Sequence, residues 1–129
     1  MPAISDDGAK VAYVVASSSL SATSSRIHVI GSEGVAYSLF PGIDPQWFSD
    51  SAFYYIAPDG IRLYDTVTQA SSLAVPIVGQ GNFKLALSPN RTLLTFSNPD
   101  ARHVYFYRIS QNGLLLTPIG TLDILVFRL

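Results

Sequence analysis

An all-β fold is expected from three features of this sequence. Prolines are spread along the chain, short runs of strand-forming residues are broken by turn signals, and one motif recurs about every 40 residues. The 129 residues include eight prolines, from Pro2 to Pro118. Each opposes a helix running through it, because proline lacks the backbone N–H and its ring clashes with the preceding turn.

The strands follow in order. VAYVV (11–15) comes after Asp6-Asp7-Gly8, a turn in which aspartate folds back on its own backbone and glycine supplies positive φ. A calcium site would need about six to eight converging oxygen ligands, and no D-x-D-x-D-G loop is present. ASSSLSATSS (16–25) is an uncharged connection to RIHVI (26–30), and Gly31-Ser32-Glu33-Gly34 turns the chain into VAYSLF (35–40). PQWF (45–48) and FYYIA (53–57) flank Ser49-Asp50. Ala57-Pro58-Asp59-Gly60 is a tight reversal into IRLYD (61–65), and SLAVPIV (72–78) follows. After the loop at Gly79-Gln80-Gly81 come FKLAL (83–87), TLLTF (92–96) and HVYFYRI (103–109). Asn112-Gly113 reads as a two-residue hairpin leading to LLLTPI (114–119), and LDILVFRL (122–129) closes the chain.

Ser5, Ser49 and Ser88 open equivalent stretches. After each serine a turn leads to a strand, then a connection, a second strand, a hairpin and a third strand; another strand precedes the second and third serines. The unit is four antiparallel strands in roughly 40 residues, the period of a β-propeller blade. The chain therefore reads as a single domain, 1–129, of about three repeats, near 2–43, 44–80 and 81–120, with 121–129 as an extra strand.

SDDGAKVAYVV…RIHVIGSEG, SDSAFYYIAPDGIRLYDTVTQ and SPNRTLLTF…HVYFYRISQNG resemble the repeats of TolB-like, WD40-like β-propellers across essentially the whole chain. Those repeats open on a Ser-Pro-Asp-Gly-Lys-like turn. The second repeat here keeps only Ser49-Asp50, and the third has Asn90 in place of Asp-Gly. No Trp-Asp dipeptide ends a repeat, which favours the TolB-like variety. The resemblance implies a scaffold role.

A propeller closes with about four to eight blades, so three repeats make an incomplete propeller or half of a symmetric one. Two explanations stand: a piece of a longer chain, or a subunit that forms a homo-oligomer. In the second, residues 122–129 complete the short first blade, in cis or in a neighbouring copy.

Composition narrows the function. Hydrophobic residues make up 48% and charged residues 13%, so much of the chain is buried on both faces or against a partner. The net charge is −1 with no polybasic run, which argues against nucleic-acid binding. Cysteine is absent, removing thiolate metal sites and cysteine nucleophiles. The uncharged stretch 66–83 is broken by Pro76, Gly79 and Gly81 and is not a membrane span. No signal peptide is read in MPAISDDGAK, and the compartment is left open.

No residue pattern points to catalysis, a cofactor or a metal. There is no G-x-S-x-G elbow, and His28 and His103 lack metal-ligand spacing. They read as gap-filling side chains between blades. Trp47, Tyr54, Tyr64 and Arg62 crowd the second repeat. Tryptophan, tyrosine and arginine are the types enriched at binding hot spots, so these four are the candidate partner surface. Arg26, Arg62 and Arg102 recur near the start of equivalent strands and could line one rim. Asn90-Arg91-Thr92 matches a glycosylation sequon.

The expected function is a non-enzymatic protein-interaction or assembly scaffold. The alternatives are a fragment of the propeller that gates a prolyl-oligopeptidase-type serine peptidase, and a structural subunit that polymerises by strand exchange.

Overall fold

A computed structural model describes residues 2–16, 25–31, 34, 36–77, 84–98 and 103–123. Among them are three four-stranded antiparallel sheets and no helix. The first sheet runs β1 (Ala3–Ile4), β2 (Lys10–Ala16), β3 (Ser25–Gly31) and β4 (Ala36–Pro41). The second runs β5 (Ile43–Trp47), β6 (Ala52–Ala57), β7 (Gly60–Asp65) and β8 (Ala70–Pro76). The third runs β9 (Lys84–Leu87), β10 (Leu93–Asn98), β11 (His103–Ile109) and β12 (Leu116–Asp123). Each strand pairs with its sequence neighbours, so each sheet is a meander of four consecutive strands.

The sheets stack face to face. The second lies between the other two, which explains why all six residues of β6 are buried. Alternation sends Phe53 and Tyr55 to one face, where they pack with Ala12, Ile27 and Val29 of the first sheet. Tyr54 and Ile56 go to the other, against Leu85, Leu94 and Phe96 of the third.

Polar ties cross both seams. The Trp47 indole N–H donates to the Ala3 carbonyl at 2.8 Å, and the Lys10 ammonium donates to the Asp50 carbonyl at 2.9 Å. The Tyr54 hydroxyl donates to the Gly113 carbonyl. Asp44 accepts from the backbone N–H of Leu85 at 2.7 Å and from the Gln46 amide at 3.0 Å. Asp6 and Arg91 pair at 2.8 Å, linking the first turns of the first and third sheets.

The serine motif is a real structural unit. In the first sheet the Ser5 hydroxyl donates to Asp7 at 2.7 Å and accepts from the Lys10 N–H at 3.0 Å. In the third, Ser88 does the same with Asn90 and the Leu93 N–H, at 2.7 and 3.0 Å. Asp6-Asp7-Gly8 is thus a turn, with Gly8 at φ 74°. In the second repeat Ser49 accepts from the N–H of Ser51 and Ala52.

Three expectations need correction. β5 begins at Ile43 rather than at 45. Pro45 is tolerated because its pairing with β6 skips from Ile43 to Gln46 and the strand lies at a sheet edge. Asn112-Gly113 is not a two-residue hairpin loop. It completes the serine turn again, with Ser110 donating to Asn112 at 2.8 Å and accepting from the Leu115 N–H at 3.0 Å. Strands do not break near Gly120: β12 runs through to Asp123 and takes in the start of the expected extra strand. A register shift between Phe106 and Tyr107 absorbs Ile119, so Pro118 and Gly120 stay inside one edge strand. Residues 124–129 lie outside the described residues.

Candidate functional site

Of the four residues expected to form a partner surface, three are core. Trp47 is 4%, Tyr54 0% and Tyr64 3% exposed. The second sheet is covered on both sides, so its rings fill seams instead of facing solvent. Tyr64 stacks on Phe40 with centroids 4.7 Å apart, and Trp47 meets Phe53 edge-on at 4.9 Å. Arg62 alone reaches the surface, with its side chain 28% exposed.

Around Arg62 the seam between the first two sheets opens into a groove of about 500 Å³, lined by Phe40, Pro41, Tyr55, Pro58, Asp59 and Ser71. The turn between β6 and β7 builds it. Gly60, at φ 145°, lets the chain reverse tightly after Pro58-Asp59 and pairs with Pro76 across β7 and β8. Arg62 then lies three residues from Asp59 and forms a fork-to-fork pair: Nε to Oδ1 at 2.9 Å and Nη2 to Oδ2 at 2.7 Å. Nη1 donates to the Ser71 hydroxyl at 3.3 Å, and that hydroxyl bonds the Tyr55 phenol at 2.7 Å.

Arg62 holds the Asp59 carboxyl below the usual carboxylate value, and Asp59 raises the guanidinium in turn. Burial pushes the Tyr55 phenol up. At neutral pH the groove therefore carries a fixed, neutralised ion pair and protonated hydroxyls beside two prolines and two rings. The groove offers apolar surface from Phe40 and the two prolines and the edge of the partly exposed Arg62 guanidinium, while the Tyr55 ring is buried with its hydroxyl bonded to Ser71.

The other candidates do not converge. His28 stacks on Tyr13 at 5.1 Å on the far face of the first sheet. His103 shares its sheet face with Tyr105, 6.2 Å away. Arg26 is exposed, while Arg102 and Gly79-Gln80-Gly81 lie outside the described residues. Asn90 uses its carbonyl oxygen inside the serine turn, accepting from Thr92 at 2.7 Å. Among the described residues no group of three His, Cys, Asp or Glu could hold a metal ion, and no helix is long and apolar enough to cross a membrane.

Sequence reasoning missed Phe40, Pro41 and Ser71. Nothing local marks them, because they reach the groove only through sheet stacking and the register of β7 with β8. The Pro58-Asp59-Gly60 turn, with Arg62 two residues on, was the available signal.

No family model and no curated protein matches the sequence. Solved structures do. Kluyveromyces lactis Hsv2 superposes with a TM-score of 0.59 at 15% identity, covering 96% of this chain and 47% of that one. A form with loop 6CD replaced by a Gly-Ser linker gives 0.60 at 17%, covering 96% and 45%. The chain thus spans about half the length of the structures it matches. It is a run of three β-propeller blades. At this identity the likeness shows the fold alone.

Proposed function

We propose that this run of blades is a non-enzymatic scaffold that binds a short, extended segment of another protein in the groove between blades 1 and 2. The observation that carries the reading is the fixed Asp59–Arg62–Ser71–Tyr55 network at the mouth of that groove. It holds donors and acceptors in place before a partner arrives, which lowers the ordering cost of binding. The same network argues for binding over chemistry. The carboxylate is tied up by the guanidinium, and the Ser71 hydroxyl is bonded to a phenol and a guanidinium, with no free base set against it. Kinship with TolB-like repeats is part of the proposal, supported by the matching hydrogen bonds of the Ser5 and Ser88 turns.

Displayed peptides selected on the chain and counter-selected on Arg62→Ala test it. Peptides recovered this way should bind the parent chain at least about tenfold more tightly than Arg62→Ala, a difference of about 1.4 kcal/mol. The melting temperature should change little, because an exposed pair contributes at most about 1 kcal/mol. Peptides that bind both proteins equally, or none at all, would refute the groove as a binding site.

A further inference from the structure

Ser5, Ser49, Ser88 and Ser110 each open a turn, and the second is chemically unlike the others. Ser5, Ser88 and Ser110 donate the hydroxyl to an Asp or Asn two residues on, at 2.7, 2.7 and 2.8 Å. Each also accepts a backbone N–H from five residues on, at 3.0 Å. Two residues after Ser49 stands Ser51 instead. The Ser49 oxygen accepts from the N–H of Ser51 and Ala52, at 3.3 and 3.1 Å. Its own proton has no acceptor among the described residues.

Ser49 lines a cleft of about 350 Å³ at the other end of β6 from the Arg62 groove, where the β5–β6, β7–β8 and β11–β12 turns meet. Small-ligand sites span about 300–1,000 Å³. Two more groups in the cleft have hydrogen-bonding capacity left over. Asp65 spends Oδ1 on the N–H groups of Val67 and Thr68, at 2.8 and 3.4 Å; its Oδ2 has no partner among the described residues. Asn112 spends Oδ1 on the Ser110 hydroxyl and the Leu114 N–H, which leaves its Nδ2 protons free. Phe48 and Leu114 supply apolar walls. The three turns are tied down. Thr66 donates both its N–H and its hydroxyl to the Ser51 carbonyl, each at 2.8 Å, and the Tyr54 hydroxyl holds the Gly113 carbonyl. Groups already ordered in this way bind at lower entropic cost.

We propose that this cleft binds a neutral polyhydroxylated molecule of the class of a single pyranose sugar. A hydroxyl is donor and acceptor at once, so one hydroxyl of the ring donates to Asp65 Oδ2 while its neighbour accepts from Asn112 Nδ2 or from Ser49. The C–H faces of the ring lie against Phe48 and Leu114. Other ligand classes match the lining less well. No lysine or arginine lines the cleft, so a phosphate or carboxylate would meet the Asp65 charge without a counter-charge. A simple cation would satisfy Asp65 and leave the donors of Asn112 and Ser49 unmatched, and an apolar molecule would bury the carboxylate unpaired. The site goes beyond the peptide-groove reading. It uses none of the Asp59–Arg62–Ser71–Tyr55 network, so either site can fail alone.

Amide spectra of the isotope-labelled chain, titrated with glucose, galactose, mannose, N-acetylglucosamine and xylose, test it. At least one sugar should shift the amides at 49–52, 65–68 and 112–114 together and saturably. Asp65→Asn keeps the acceptor that the turn needs and replaces the free oxygen by a donor; Asn112→Asp does the reverse. Each should weaken sugar binding at least about tenfold, as expected for one mismatched hydrogen bond, with the amides of the other blades unmoved. Leu114→Ser, at an exposed position, removes an apolar wall and replaces either variant should it fail to fold. Arg62→Ala should bind the sugar as the parent does, and sodium phosphate should shift nothing in the cleft. No saturable shift with any of these sugars overturns the proposal, as does equal binding by the parent and both turn variants. Larger shifts with n-butylammonium chloride than with any sugar would mark a cation site and overturn it too.

Discussion

Gly60 and Gly8 both hold positive φ, yet an added methyl meets different surroundings at each. At Gly60 a Cβ would lie 2.1 Å from the Val75 carbonyl oxygen and 2.8 Å from the Ile77 nitrogen. Both are backbone atoms that cannot swing away, so Gly60→Ala should destabilise by about 3 kcal/mol and lower the melting temperature by roughly 10 °C. At Gly8 a Cβ meets nothing within 4 Å. Gly8→Ala carries only the left-handed strain of about 1 kcal/mol. Thermal melts of the two variants should differ clearly; equal losses would mean that crowding at the β6–β7 turn is relieved by backbone movement. Charge at the turns gives a second prediction. Ser5 and the Ala9 N–H hold the Asp7 carboxyl below its ordinary 3.8, and Arg62 does so for Asp59. The unfolded chain binds those protons more readily, so both groups add stability that is complete above about pH 4. It is lost as pH falls through their lower folded values. Urea midpoints of the parent and of Asp7→Asn/Asp59→Asn should differ at pH 6 and converge in acid; a gap that widens in acid would contradict the assignment. Residue chemistry was legible for the Asp6-Asp7-Gly8 turn. It was not for Trp47, Tyr54 and Tyr64, because ring type alone does not say whether the sheet bearing it has neighbours on both faces.

Elements lean on one another across the seams, and Tyr54 shows how. Its hydroxyl, kept protonated by burial that raises its pKa, donates from the middle of β6 to the carbonyl of Gly113 in the turn before β12. That turn sits against the Phe48 ring, which a Cβ at Gly113 would meet at 2.8 Å. Tyr54→Phe keeps the ring and leaves the Gly113 carbonyl unpaired. The loss should be about 1–2 kcal/mol, and amide exchange should speed up at 113–116 more than in blade 1. A uniform change along the chain would mean that the bond does not dock this turn. Strand order and the four-strand repeat were legible because each strand pairs with its sequence neighbour and turn residues mark every reversal. The run of β12 through Gly120 was not. Proline and glycine in sequence resemble a break, whereas in space an edge strand with one bulge accommodates both. Asp44, at φ 56°, was equally hidden: its tie to the Leu85 N–H links strands 41 residues apart.

Across the whole molecule, burial is graded by position in the stack. Blade 2 has a seam on each side, and β6 is buried from end to end. Blades 1 and 3 have one seam each and one open face within the chain, and β8 and β12 are largely exposed outer strands. In stacked repeats each unit is stabilised mainly by its neighbours, so the unit with two neighbours should open last. The expectation is specific for hydrogen exchange at low chain concentration, where any contact between copies is absent. Amides of β6 and β7 should exchange slowest, near the rate set by global unfolding. Those of β3 and β11 should be intermediate, and those of β4 and β12 fastest among paired strands. Asp6–Arg91 works against this gradient, since it joins blade 1 to blade 3 past blade 2. Removing it with Asp6→Asn should steepen the gradient by letting the outer blades open separately, while β6 keeps its rate. Equal protection in all three blades, unchanged in Asp6→Asn, would show that the chain opens as one cooperative unit despite its repeat construction.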